Sequence, residues 1–162
     1  MSWPVTAADL TALGQSIVAD SAGEITSFDV AYDELNLTAP LGRIVQALTH
    51  LRDHPACRFE VLIDLTAVDY PDRAKRFDVV YHLLSMSLNQ RIRIRVETDE
   101  DTPVPTVTGV YPCANWYERE AFDTYKRVEV AARKRLGAEQ AKRVEGQMER
   151  EGGARKLPRA RQ

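Results

Sequence analysis

Cysteine is scarce in this chain. Only Cys57 and Cys113 occur, far apart and with no CxxC spacing, so an iron–sulfur cluster held by this chain alone is all but excluded. A disulfide between them is disfavoured in a reducing cytosol. Glycine is also sparse. None of the eight glycines forms GxGxxG or GxxxxGK[ST], which removes the usual nicotinamide and nucleotide sites. GxSxG is absent, so a nucleophile elbow has no basis. No apolar run approaches the ~20 residues of a membrane-spanning helix. The opening Met-Ser-Trp-Pro-Val-Thr has no basic region followed by an apolar block, and the first arginine is Arg43. The expectation is therefore a cytosolic protein with neither secretory signal nor transit peptide, meeting a membrane only through partners.

What remains has the composition of a soluble globular domain. The chain has 162 residues, 44% hydrophobic and 28% charged, enough to bury a real core. Its net charge of -2 is unevenly spread. From Lys126 onward twelve Lys and Arg face five Glu, whereas residues 1–125 hold ten basic and nineteen acidic side chains. Such asymmetry marks a boundary between a domain over 1–125 and a basic, aromatic-free tail over 126–162. The tail reads as helical at first, then flexible and disordered.

The apolar periodicity predicts helix over 6–20, with Leu10, Leu13, Ile17 and Val18 on one face. A β-hairpin follows, from Ile25 to Thr38, turning at Asp33-Glu34. Residues 40–53 predict a second helix, capped by Thr38 with Pro40 in the first turn. Phe59 to Val68 is nearly continuously apolar and predicts a central strand covered on both sides. The turn at Tyr70–Arg73 leads to a strand from Phe77 to Leu84, and Asn89-Gln90 turns the chain into a third, Arg91 to Glu97. That last run alternates strictly. Ile92, Ile94 and Val96 point to a core, while Arg91, Arg93 and Arg95 point away. The arginine row protects a sheet edge from unwanted pairing or binds a partner. An acidic connection over 98–112, with Pro103, Pro105 and Pro112, contains one short helical turn. A helix then starts near Ala114. The predicted fold is α+β: a mixed, mainly antiparallel sheet of about four to five strands with helices packed on it, a C-terminal helix, and the tail.

Few residues offer chemistry. His50 and His54 stand at i and i+4, but Leu51 occupies the place of a zincin glutamate and no third ligand is apparent. They read as exposed histidines favoured by the helix dipole. Asp64 and Asp69 could act as paired carboxylates, yet an Asp before Tyr-Pro suits a turn better. His82 reads as a hydrogen-bonded sheet residue. No catalytic, cofactor-binding or metal residue is predicted. The densest polar and aromatic cluster is Asn115-Trp116-Tyr117-Glu118-Arg119-Glu120-Ala121-Phe122-Asp123-Thr124-Tyr125. Arg119 can pair with Asp123 one turn on, and Trp116, Phe122 and Tyr125 are suited to docking. This is either an interface helix or a core helix.

Two stretches resemble a known family. Phe59-Glu60-Val61-Leu62-Ile63-Asp64-Leu65-Thr66-Ala67-Val68-Asp69-Tyr70-Pro71, with Arg76-Phe77-Asp78-Val79-Val80-Tyr81-His82-Leu83-Leu84-Ser85, is similar to the central sheet of one subunit family of respiratory complex I. This is the family designated C in the bacterial NADH-quinone oxidoreductase and known as the 30 kDa subunit in mitochondria. Val104-Pro105-Thr106-Val107-Thr108 through Ala114 to Asp123 resembles that family's signature helix, whose hallmark is Glu-Arg-Glu followed by an aromatic residue and Asp. The resemblance covers about residues 5–125. It implies an α+β domain in the peripheral arm of a proton-translocating NADH:quinone oxidoreductase, peripheral on the cytoplasmic side of the bacterial inner membrane. It also implies that this chain binds no cofactor, FMN and iron–sulfur clusters being held by partner subunits, and that it packs against the large quinone-site subunit and other arm subunits. Glu118, Arg119, Glu120 and Asp123 match the signature. After Tyr125 the family continues with a Gly, a Gly-His pair and a basic, proline-containing stretch, and Lys126-Arg127-Val128-Glu129-Val130 departs from it. Alternative readings are the equivalent subunit of a membrane-bound hydrogenase or formate-oxidising complex, and a small nucleic-acid-binding protein using the basic tail and the arginine row. An acidic domain without a recognised nucleic-acid motif speaks against the last.

Overall fold

A computed structural model of the chain describes residues 7–99 and 101–125. Its elements run α1 (Ala7–Asp20), β1 (Ser27–Ala31), β2 (Glu34–Thr38), a 3-10 turn (Leu41–Arg43), α2 (Ile44–Asp53), β3 (Val61–Asp69), β4 (Phe77–Ser85), β5 (Gln90–Thr98) and α3 (Ala114–Tyr125). The five strands form one sheet in the order β1-β2-β5-β4-β3. All neighbours are antiparallel except β2 and β5, which pair in parallel from Leu35↔Ile92 to Thr38↔Arg95. The predicted α+β class and mainly antiparallel sheet are found. The expected basic tail over 126–162 lies outside the described residues.

The core lies on one face of the sheet. Leu35 and Leu37 of β2, Ile92, Ile94 and Val96 of β5, and Val79, Tyr81 and Leu83 of β4 all point there. They pack with Leu10, Leu13 and Ile17 of α1 and with Ile44, Ala47, Leu48 and Leu51 of α2 in a single apolar cluster. Ala114 and Ala121 bring α3 into the same cluster. The period-two alternation of the strands puts the arginines of β5 on the other face, together with Asp78, His82 and the apolar Val68 and Val80.

Four local expectations are corrected. The hairpin turns at Tyr32-Asp33, one residue early. Both residues have positive φ (54° and 59°), the left-handed pair of a two-residue hairpin turn whose twist matches the strands. Thr38 does not cap α2. It ends β2, and its hydroxyl accepts from Arg95 Nε at 3.3 Å, while Pro40 precedes a 3-10 turn that has no side-chain cap. β3 is an edge strand rather than a central one. A bulge at Ile63 inserts one extra residue between the pairs Leu62↔Leu83 and Asp64↔His82. It reverses the facing of the strand, so that Leu62 and Leu65, three apart, both reach the core. A nearly unbroken apolar run thus serves a one-sided strand, with Val61 and Ile63 left exposed. Finally, the row Arg91, Arg93 and Arg95 protects no edge, because β5 is hydrogen-bonded on both sides.

The acidic connection is more ordered than its prolines suggest. Val104, Val107, Val110 and Tyr111 are buried, and the amides of Val110 and Tyr111 both donate to Val107 O at 2.9 Å. Tyr111 Oη donates to Phe59 O at 2.6 Å, and Arg52 Nη1 to Val110 O at 2.9 Å. These bonds fasten the segment across the end of α2.

At Gly14 the packing of α1 on β1 leaves no room. A Cβ there would sit 2.5 Å from Phe28 Cδ2 and 2.7 Å from Cγ. Gly14→Ala is expected to destabilise by about 1–3 kcal/mol of overpacking, outweighing the ~1 kcal/mol that alanine adds to a helix interior. Urea denaturation checks this, and a more stable variant would show that Phe28 yields freely.

Candidate interaction surface

Among the described residues no helix packs on the polar face of the sheet. Its centre is β5. Arg91, opposite Leu84 in β4, is exposed. Arg93 is half-buried and pairs with Glu34 of β2 at 2.5 Å. Arg95 reaches Asp78 of β4 at 3.6 Å, and Arg73, from the β3–β4 turn, binds the same carboxylate at 3.2 Å. Asp78 is only 2% exposed. A carboxylate so buried needs its cations, since removing one leaves an uncompensated charge. The row is therefore mostly neutralised from within. Arg93 Nε is nonetheless buried without a hydrogen-bond partner among the described residues.

Between this row and the two flanking turns lies an open hollow of about 310 Å³ lined by Asp29, Tyr32, Asn36, Tyr70, His82 and Arg93, among others. Tyr32, at the hairpin tip, is fully exposed, and the Tyr70 ring carries the Arg73 guanidinium 3.5 Å above its centroid. Asp69 accepts two bonds from Arg76, at 2.5 and 2.7 Å, across the base of the turn that joins β3 to β4. Asp64 stands opposite His82 in the register, far from Asp69 along β3, so the two carboxylates do not form a catalytic pair.

On α3 the predicted surface residues divide. Asn115, Arg119 and Glu120 are exposed, and Trp116 is 70% exposed. Phe122 is half-buried, whereas the side chains of Asp123 and Tyr125 lie outside the described residues. Glu118 turns inward. Its carboxylate accepts from Val107 N and from Thr106 Oγ1, both at 2.8 Å, and so ties the connection to the helix. Tyr117 Oη donates to Ile63 O at 2.8 Å, closing the carbonyl that the β3 bulge exposes. His50 and His54 are half-buried and stacked, rather than exposed, with Cys57 beside them. Cys57 and Cys113 are both free thiols. Sequence reasoning missed Asp78, Arg73 and Cys57. The first two are signalled only by strand register. Cys57 is legible as the third member of His-x3-His-x2-Cys.

Residues 37–128 match the family described as respiratory-chain NADH dehydrogenase, 30 Kd subunit. The chain belongs to that family. The NADH-quinone oxidoreductase subunit designated C of Caulobacter sp. (strain K31) is 66% identical over 116 residues, 72% of this chain and 54% of that protein. The protein of the same name from Phenylobacterium zucineum is 58% identical over 125 residues, 77% of this chain and 59% of its own length. The chain thus spans little more than half of these curated relatives. Among solved structures, a chain of the membrane-bound sulfane sulfur reductase, an archaeal respiratory membrane complex, superposes with a TM-score of 0.59 at 26% identity, covering 70% of this chain and 65% of that one. No helix among the described residues is long and apolar enough to cross a membrane.

Two outcomes follow from this geometry. Glu118→Ala strips the buried Val107 amide of its acceptor and is expected to cost about 1–3 kcal/mol. Glu118→Gln, which keeps one acceptor oxygen, should cost less, and equal losses in urea melts would contradict the tie. His82 titrates below its ordinary 6.5 because of burial and then the nearby Arg93, against the opposing pull of Asp64 and Glu34. Below pH 6.5 the unfolded chain takes up a proton that the folded chain resists. The contribution is therefore complete above that pH and declines as pH falls toward the folded value. His82→Gln should flatten this decline, and superimposable stability curves for the two proteins would reject it.

Proposed function

We propose that the chain is a cofactor-free structural subunit in the peripheral arm of a proton-translocating NADH:quinone oxidoreductase. It docks onto the quinone-site subunit through the sheet face that carries the arginine row, and so supports electron transfer from NADH to quinone without turnover of its own. The observation that carries this reading is a five-stranded sheet that the described residues cover with helices on one face only, in a chain of the 30 Kd subunit family. The uncovered face combines features that interfaces favour: exposed Tyr32, half-buried arginines, and a hollow that a partner side chain can fill. Exposed Trp116 on α3 offers a second anchor. In this reading the flavin and iron–sulfur clusters belong to partner subunits, and the chain lies on the cytoplasmic side of the inner membrane, held there by the complex.

A second reading places the chain in a related respiratory membrane complex, as its likeness to the archaeal sulfane sulfur reductase chain allows. Identity of 66% with the Caulobacter NADH-quinone oxidoreductase subunit, against 26% with that chain, favours the first. Binding of nucleic acid by the arginine row is disfavoured because Arg93 and Arg95 are already paired with Glu34 and Asp78.

The test is co-purification. Tagged in its host and recovered from gently solubilised membranes, the chain is expected to bring the quinone-site subunit and NADH:quinone activity with it. Arg91→Glu, which reverses an exposed charge on the docking face, should reduce that recovery several-fold and leave folding intact. Recovery of hydrogenase subunits, or of the chain alone in the soluble fraction, would overturn the proposal.

A further inference from the structure

The C-terminal end of α2 holds a cluster on the helical side of the sheet, apart from the proposed docking face. His50 and His54 are one helical turn apart, with their rings stacked at 4.9 Å. The chain then doubles back. The amides of Cys57 and Arg58 both donate to His54 O, at 2.9 and 3.0 Å, Arg58 takes a positive φ of 48°, and Phe59 N donates to Leu51 O at 2.9 Å. This turn carries Cys57 under the two imidazoles, its Sγ 3.8 Å from His54 Nδ1. One potential ligand atom from each of the three residues lies within 4.8 Å of the others. Cys57 is 2% exposed. His50 Nε2 is buried and has no hydrogen-bond partner among the described residues. Burying such an atom unpartnered is unfavourable, and a ligand at the cluster removes that cost.

We propose that His50, His54 and Cys57 form a binding site for zinc(II), with water as the fourth ligand. Two imidazoles and a thiolate are the donors that zinc prefers, and they discriminate against the oxygen-seeking magnesium and calcium. Bonds of about 2.0–2.1 Å to nitrogen and about 2.3 Å to sulfur set tetrahedral ligand atoms about 3.3–3.6 Å apart. The cluster reaches that spacing by contracting about 1 Å at its widest, within the range of side-chain rotation. On binding, the Cys57 thiol releases its proton to solvent as the sulfur–zinc bond forms, and hydrated zinc sheds all of its waters but one as it becomes four-coordinate. The half-exposed histidines leave a path for the ion and for the remaining water. Bound there, zinc ties the end of α2 to the turn that leads into β3. None of this depends on the docking reading.

The full chain, freed of metal, is titrated with cobalt(II) as a spectroscopic probe, followed by zinc(II) in competition with a chromogenic chelator. The expected result is one equivalent of cobalt with intense tetrahedral visible bands and a thiolate-to-metal charge-transfer band, displaced by zinc. Cys57→Ser should abolish the charge-transfer band. Cys57→Ser, His50→Gln and His54→Gln should each weaken zinc binding by about tenfold or more, and Cys113→Ser should change neither. Circular dichroism confirms that each variant folds. As a readout free of mutation, zinc should slow alkylation of Cys57 relative to Cys113. No stoichiometric binding, binding unchanged in Cys57→Ser, binding lost in Cys113→Ser, or unprotected Cys57 would each overturn the site.

Discussion

Strand β5 must satisfy hydrogen bonds on both sides while keeping two incompatible rows of side chains apart. It pairs in parallel with β2 and antiparallel with β4, so it joins the N-terminal hairpin to the β3–β4 hairpin. Ile92, Ile94 and Val96 then meet the helices, and Arg91, Arg93 and Arg95 face outward. A slip of one residue would drive the arginines into the core and the aliphatic side chains into water. Neighbouring strands answer that alternation, since Glu34 on β2 and Asp78 on β4 lie where the guanidinium groups need a carboxylate. Such pairs add little stability when exposed. Asp78 is different, because its burial makes its cations a condition of the register.

The edges of the sheet are managed differently. At the β3 edge the bulge at Ile63 turns a carbonyl outward, and Tyr117 covers it from α3. Tyr111 does the same for Phe59, and Glu118 holds the preceding connection by its Val107 amide. Three side chains from a proline-rich segment and one helix thus close main-chain groups that would otherwise be exposed to pairing with other chains. Their inward commitment leaves Trp116 as the large exposed aromatic among the described side chains of α3.

Membership in the respiratory 30 Kd subunit family and the one-sided packing of the described sheet are the two observations behind the proposed scaffold role. One face is consumed by the fold itself, and the other is shaped and carries no helix from the described residues. The His50–His54–Cys57 cluster lies on the consumed side, where it bears on the stability of α2 rather than on partner choice.

Much was readable from the amino-acid order alone: α1, the hairpin, the strict alternation of β5, the helix from Ala114, the absence of cofactor motifs, and the family resemblance. These depend on local periodicity and on short motifs, which neighbouring residues carry by themselves. Tertiary structure decided what depends on partners distant in sequence. It made β5 central and β3 an edge, because the parallel pairing of Thr38 with Arg95 joins residues 57 apart. It placed an extra residue at Ile63, sank Glu118 against Val107, and gave Arg93 and Arg95 their carboxylates. Hydrophobic pattern states which face of a strand is buried, but only the register across the sheet decides which side chains stand opposite one another.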